Sequence, residues 1–83
     1  MSIKGQNMSR SLDLHNLTLA QAKVELDVFM DTLPKNIFEV VIIHGYREGT
    51  VLKTFVSKYN HPRIKQKIKT LNKGETIFVC NTL

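Results

Sequence analysis

The run Phe38-Glu39-Val40-Val41-Ile42-Ile43, closed at once by His44-Gly45 and then by Gly49-Thr50, limits the fold of this chain more than any other stretch. It is short, nearly continuous in apolar side chains and rich in β-branched ones. Such a run suits a strand covered by neighbours and is too short for a core helix. The glycines permit a tight reversal, because a residue without Cβ adopts positive φ at no steric cost. Thr50 stands where a helix N-cap belongs, ahead of Val51-Leu52. Strand end, glycine turn and helix start together bring backbone N–H groups to where an anion can be held. His44 sits at the join.

The rest of the chain arranges itself around this unit. Ser11-Leu12-Asp13-Leu14-His15 alternates and reads as a half-buried strand, Leu12 and Leu14 inward, Asp13 and His15 on the opposite face. Thr18-Leu19-Ala20-Gln21 has the form of a capping box. The helix it opens is expected from Leu19 to Leu33, with Leu19, Ala22, Leu26, Phe29, Met30 and Leu33 as its apolar stripe. Pro34 closes it. A second helix begins near Thr50 and presents Leu52, Phe55, Val56 and Tyr59 to the core. Arg63-Ile64-Lys65-Gln66-Lys67-Ile68-Lys69 alternates with period two and predicts a strand, and Thr76 to Cys80 predicts its hairpin partner across Asn72-Lys73-Gly74-Glu75. The order is β-α-β-α-β-β. It predicts an α/β (α+β) two-layer sandwich: a four-stranded mixed sheet with two helices on one face. The other face is expected to stay open and to carry Asp13, His15 and the basic stripe. Residues 1–10 read as a flexible lead-in and 11–83 as one domain.

Charge narrows the function. Twelve Lys and Arg against seven Asp and Glu give a net charge of +5 and a pI of about 9.6. This favours an anionic partner, nucleic acid being the commonest; a merely solvated basic surface is the plain alternative. Cys80 is the one cysteine, so no internal disulfide forms and a reduced, cytoplasmic setting is expected. No apolar run reaches transmembrane length, so no membrane partner is expected. No Cys/His cluster has zinc spacing.

Two motifs carry a resemblance. Leu12-Asp13-Leu14-His15 with Asn16-Leu17-Thr18 resembles the Leu-Asp-Leu-His-Gly-Leu-Thr opening of Smr (small MutS-related) domains. Ile42-Ile43-His44-Gly45 through Gly49-Thr50-Val51-Leu52 is similar to their second motif, and the Tyr59 to Pro62 helix end also matches. The likeness covers residues 11 to 81. Asn16 stands in place of a glycine but tolerates left-handed geometry better than most residues. The turn His44 to Thr50 has fewer glycines than the family pattern. The resemblance implies a short standalone member of a nucleic-acid-binding family, often with endonuclease activity on DNA or RNA. Its fold would be like the C-terminal domain of a bacterial translation initiation factor, and a ribosome or MutS-like proteins are implied as partners. No ATPase motif is present.

The candidate site follows. His15 is the expected general base or acid, since imidazole titrates near neutral pH. Asp13 would orient it, or bind a metal. His44 would contact phosphate, serve as a second proton-transfer group, or simply hold the turn. Gly45, Gly49 and Thr50 would cradle a phosphate, with Arg47 adding a charged contact. Lys65, Lys67 and Lys69 would meet the nucleic-acid backbone, with Arg10 and Lys53 as lesser contacts; lysines on an edge strand also guard against aggregation. Loosely bound Mg²⁺ or Mn²⁺ at Asp13 and a metal-free histidine mechanism on RNA are both open. A non-catalytic binding or ribosome-associated module is the alternative to a nuclease.

Overall fold

A computed structural model describes residues 9–45 and 50–82. Six elements follow one another: β1 (Ser9–Asp13), α1 (Leu19–Asp31), β2 (Glu39–Ile43), α2 (Val51–Lys58), β3 (Ile64–Lys69) and β4 (Glu75–Cys80). The sheet order is β1-β2-β4-β3. β1 and β2 are parallel, joined through α1; β4 is antiparallel to both β2 and β3. The four-stranded mixed sheet and its two helices match the expected architecture. Ser9 and Arg10, read from the sequence as lead-in, belong to β1, which ends at Asp13. Residues 1–8 of that lead-in lie outside the described residues.

Both helices lie on one face. Val40 and Ile42 of β2 and Phe78 and Cys80 of β4 point the same way, since alternate residues share a face. They meet Ala22, Leu26 and Met30 of α1 and Val56 of α2 in one buried cluster. A fully buried side chain of this kind contributes about 1.5–3 kcal/mol, so this cluster fixes where the strand ends sit. The capping box forms as expected: the Gln21 N–H donates to Thr18 Oγ1 (3.1 Å) and the Thr18 N–H to Gln21 Oε1 (3.0 Å). α1 stops at Asp31, where Thr32 Oγ1 turns back to the Val28 carbonyl (2.7 Å).

The lysine stripe is not where alternation places it. The β3–β4 register shifts between Ile64 and Gln66, leaving Lys65 as an extra residue in a bulge. One inserted residue reverses the facing of every side chain beyond it. Ile64 therefore packs on the helix-side core, whereas Ile68 pairs with Ile77 on the open face. Lys67 pairs with Phe78 and Lys69 with Thr76, both on the helix side. Lys67 Nζ lies 5.8 Å from the Phe78 ring centroid and donates to the Ser57 carbonyl (2.8 Å). The open face carries Asp13 as expected, but its centre is Val41, Ile77 and Ile68 rather than a basic stripe.

Arg63 is also displaced from the expected stripe. It is 7% exposed. Its guanidinium donates to the carbonyls of Leu33 (3.0 Å), Pro34 (3.2 Å), Ile37 (3.0 Å) and Asn81 (2.9 Å). It ties the α1–β2 connection to the end of β4. His61, beside it, accepts from the Arg63 N–H at Nδ1 and donates from Nε2 to Asp31.

Candidate functional site

The carboxyl ends of β1 and β2 lie side by side, and the site is built there. Asp13 is the last residue of β1. Beyond it the Leu14 N–H still donates to the Ile43 carbonyl (2.7 Å), and the Leu17 N–H closes a turn on Leu14 (3.1 Å). Asn16, at φ 74°, supplies the left-handed residue that this turn requires. The Asp13 carboxylate accepts the His15 backbone N–H (3.0 Å), the local bond by which Asp commonly shapes a turn. The same oxygen, Oδ1, also meets His15 Nδ1. A carboxylate partner makes Nδ1 the donor, so Nε2 keeps its lone pair in the neutral ring. Both side chains are half exposed. The hydrogen bond from His15 holds the Asp13 carboxyl below the ordinary 3.8, against a smaller opposing effect of desolvation. Among the described residues, His15 Nε2 has no hydrogen-bond partner.

Gly45 forms the wall behind the pair. Its φ is 74°, and a Cβ added there would lie 3.3 Å from the Cβ of His15. The expected need for glycine thus has two causes, backbone conformation and the closeness of the histidine. The N–H groups of His44 (2.8 Å) and Gly45 (3.0 Å) both donate to the Gly74 carbonyl, which fastens the β2 end to the turn before β4. The His44 side chain is buried. Its Nδ1 donates to the Gly45 carbonyl (2.9 Å), so Nε2 accepts from the Thr76 hydroxyl (3.0 Å). This is the arrangement of a turn-holding histidine; phosphate contact or proton transfer by His44 requires one of these bonds to open.

Thr50 takes the N-cap position of α2, but its side chain makes no capping hydrogen bond. The first-turn N–H groups of α2 consequently have no side-chain acceptor from the cap. Neither helix has an acidic residue in its first turn. A cleft joins these parts. It is lined by His15 and Gly45 together with Leu17, Leu19, Val51 and Leu52 on the helix side, and by Ile43 and Glu75 on the sheet side. Arg47 and Gly49, with Tyr46, lie outside the described residues.

The remaining basic candidates are dispersed. Arg10 is exposed on β1 opposite Val40 and donates to the Ser9 carbonyl. Lys53 is half-buried on α2, and Lys65 and Lys69 are exposed on β3. Lys67 is held by Ser57 and Phe78, and burial lowers the pKa of its amine.

For Mg²⁺ or Mn²⁺ the fit is poor: among the described residues no three His, Cys, Asp or Glu side chains converge to hold a metal ion. Asp13 already gives one oxygen to His15. The sequence pattern puts Glu75 in a turn. It instead opens β4, pairs with Ile43 on the face that carries Asp13, and lines the cleft. Its neighbours Thr76-Ile77-Phe78 already read as a strand, and extending that strand by one residue is the signal that finds it.

No helix is long and apolar enough to cross a membrane, among the described residues. The family model of the Smr domain matches residues 12–75, a span that contains both motifs and every element from the end of β1 to the start of β4. No curated protein and no solved structure matches the chain.

Proposed function

The chain belongs to the Smr domain family, a family of nucleic-acid-binding domains, and on that premise we propose that it is an endonuclease whose cleavage centre is the Asp13–His15 pair. The observation that carries this reading is the pair itself: a carboxylate on Nδ1 and an unpartnered Nε2 beside an open cleft. His15 acts as general base. Nε2 takes the proton of the attacking hydroxyl, either a water or the 2′-OH of RNA, as that oxygen bonds to phosphorus and the bond from phosphorus to the departing sugar oxygen breaks, the departing oxygen taking its proton from water; the carboxylate of Asp13 stabilises the imidazolium that results. The first turn of α2 holds the phosphate through backbone N–H groups, Gly45 leaving room for it beside His15, with Thr50, Arg47 and Gly49 contributing. Lys65, Lys69, Lys53 and Arg10 add sequence-independent attraction to the backbone.

The test is incubation of the purified protein with supercoiled plasmid and with structured RNA, each with and without EDTA. Nicked plasmid or cut RNA is the expected product, and the His15→Ala protein is expected to bind but not cut. Equal cutting by His15→Ala refutes the assignment. One observation favours a second reading, a binding module without catalysis. His15 is the only histidine among the described residues with an unengaged ring nitrogen, so no second imidazole stands ready to protonate the leaving oxygen. Binding without product from either nucleic acid selects that reading.

A further inference from the structure

The bare face of the sheet carries a pattern that the site at the strand ends does not use. Residues paired directly across a sheet share a face, and alternation fixes the rest. Val41, Ile77 and Ile68 form one cross-strand row there, with Ile43 and Val79 on the same face. Neighbouring strands lie about 4.8 Å apart, so the row spans about 10 Å, the width of one helix. Both helices lie on the opposite face, and Ile68 remains 40% exposed. The bulge at Lys65 is what makes this face apolar. It turns Ile68 outward and sends Lys67 and Lys69 to the helix side. An unbroken β3 would bury that isoleucine and put the lysines here instead.

The charges at paired positions on the face have one sign. Glu39 stands at one end of the aliphatic residues and Asp13 and Glu75 at the other, whereas no lysine or arginine occupies a paired position there. The chain as a whole carries +5. These features select the occupant. Nucleic acid and anionic lipid are repelled by the carboxylates. A second copy of the same face would set carboxylates against carboxylates. An extended peptide adds to a strand edge, since inside the sheet the backbone groups are already paired. An amphipathic helix with cationic borders meets each condition, and it would close the second face of the sheet as α1 and α2 close the first. We propose that the face of Val41, Ile77 and Ile68 docks an amphipathic helix of a protein partner whose apolar stripe is bordered by Lys or Arg. Docking here is independent of cleavage at His15.

The probe is a designed peptide of about five helical turns, with leucines at i, i+3, i+4 and i+7 and lysines bordering them. It is titrated into the isotope-labelled full chain and followed by backbone amide NMR. Its controls are the same peptide with glutamate for every lysine, and the lysine peptide with its leucines redistributed so that no stripe forms. The striped lysine peptide is expected to move the amides of Val41, Ile68 and Ile77 and to bind about tenfold tighter than either control. Ile68→Thr with Ile77→Thr keeps β-branched residues on the strands and should weaken it about tenfold. Glu39→Lys should weaken the lysine peptide and tighten the glutamate one; the amide spectrum verifies the fold of each variant. Equal binding of the striped and redistributed peptides would mean attraction by charge alone and overturns the docking face. Shifts confined to α1 or α2, or no binding by any peptide, overturn it as well. A dimer of the peptide-free chain in analytical ultracentrifugation, lost on the double substitution, gives the face to a second copy and overturns the choice of occupant. Structured RNA that moves the same three amides overturns the exclusion of nucleic acid, and the proposal with it.

Discussion

Replacing Arg63 tests the reversal of its role from surface cation to internal tie. In the native fold its guanidinium serves four carbonyls. The Pro34 carbonyl would keep a partner after truncation, because the Ile37 N–H also donates to it (3.2 Å). Leu33, Ile37 and Asn81 would be left with carbonyls whose described partner is gone. An unmade bond at a buried group costs about 1–3 kcal/mol. Two such groups, Leu33 and Ile37, with a smaller cost at the part-buried Asn81 carbonyl, give a loss of about 3–5 kcal/mol for Arg63→Met. A domain of this size has a total stability of about 4–12 kcal/mol on the usual scale per residue, so the variant approaches its folding limit. Arg63→Lys keeps the charge, but a compact ammonium cannot span the fan of acceptors, and a loss of about 2 kcal/mol is expected. Urea unfolding followed by circular dichroism gives both numbers. Folded Arg63→Lys should also show the wild-type salt dependence of nucleic-acid binding, since a buried guanidinium releases no phosphate counterions. A loss below about 1 kcal/mol for Arg63→Met would mean that water replaces the guanidinium freely, and the accounting would be wrong. A reduced salt slope would return Arg63 to the binding surface.

Gly45→Ala should destabilise the domain by about 1 kcal/mol, the left-handed penalty of about 1–2 kcal/mol being partly offset by a stiffer unfolded chain. Because the new Cβ presses on His15, cleavage should fall by more than the stability loss explains; wild-type turnover in a folded variant would refute that contact. Lys65→Gln with Lys69→Gln should lower the slope of log affinity against log salt by about 1.4–1.8, whereas Lys67→Gln should leave it unchanged and cost about 1 kcal/mol in unfolding experiments. Asp13 has a depressed folded pKa, so its contribution to stability is present above the ordinary value and is lost as pH falls through the folded one. Urea midpoints of wild type and Asp13→Asn should therefore differ at pH 7 and draw together as pH falls below the ordinary carboxylate value; a constant difference would refute the linkage.

Local signals are legible in the chain wherever a residue type has few structural uses. Thr18 and Gln21 at capping-box spacing mean one thing, and Asn16 in the turn that follows β1 means a left-handed residue. The alternation of Leu12 to His15 places Leu14 in the core and Asp13 outside it. The period-two pattern fails at Lys65 because a bulge leaves no mark when the inserted residue is one more lysine among lysines. Ile64 and Ile68 stay in period-two phase across the polar Lys65-Gln66-Lys67, yet the register slips between them. Arg63 is misplaced for a related reason: its four acceptors are backbone carbonyls, which every residue owns and no side-chain pattern advertises. The Thr76 partner of His44 is equally hidden, 32 residues away on a strand whose register alone brings it there.

The Asp13 carboxylate has two tasks, and this sets how the site can be dissected. One oxygen accepts the backbone N–H of His15, which shapes the turn out of β1, and also the ring Nδ1–H, which fixes the tautomer. Fold and chemistry therefore share an atom. An alanine at this position removes both bonds and confounds a lost turn with a lost base. An asparagine keeps an oxygen for the N–H but loses the charge that stabilises an imidazolium, and its amide can instead donate to Nδ1 and shift the ring proton to Nε2. Gly45 adds a steric limit from the other side, since a Cβ there would lie 3.3 Å from the Cβ of His15. The imidazole is thus held by a turn bond, a ring bond and a close backbone, all within two adjacent strand ends. A functional histidine needs such support to present one nitrogen repeatedly in one place, and the motifs Leu12 to His15 and Ile42 to Gly45 supply it from opposite sides.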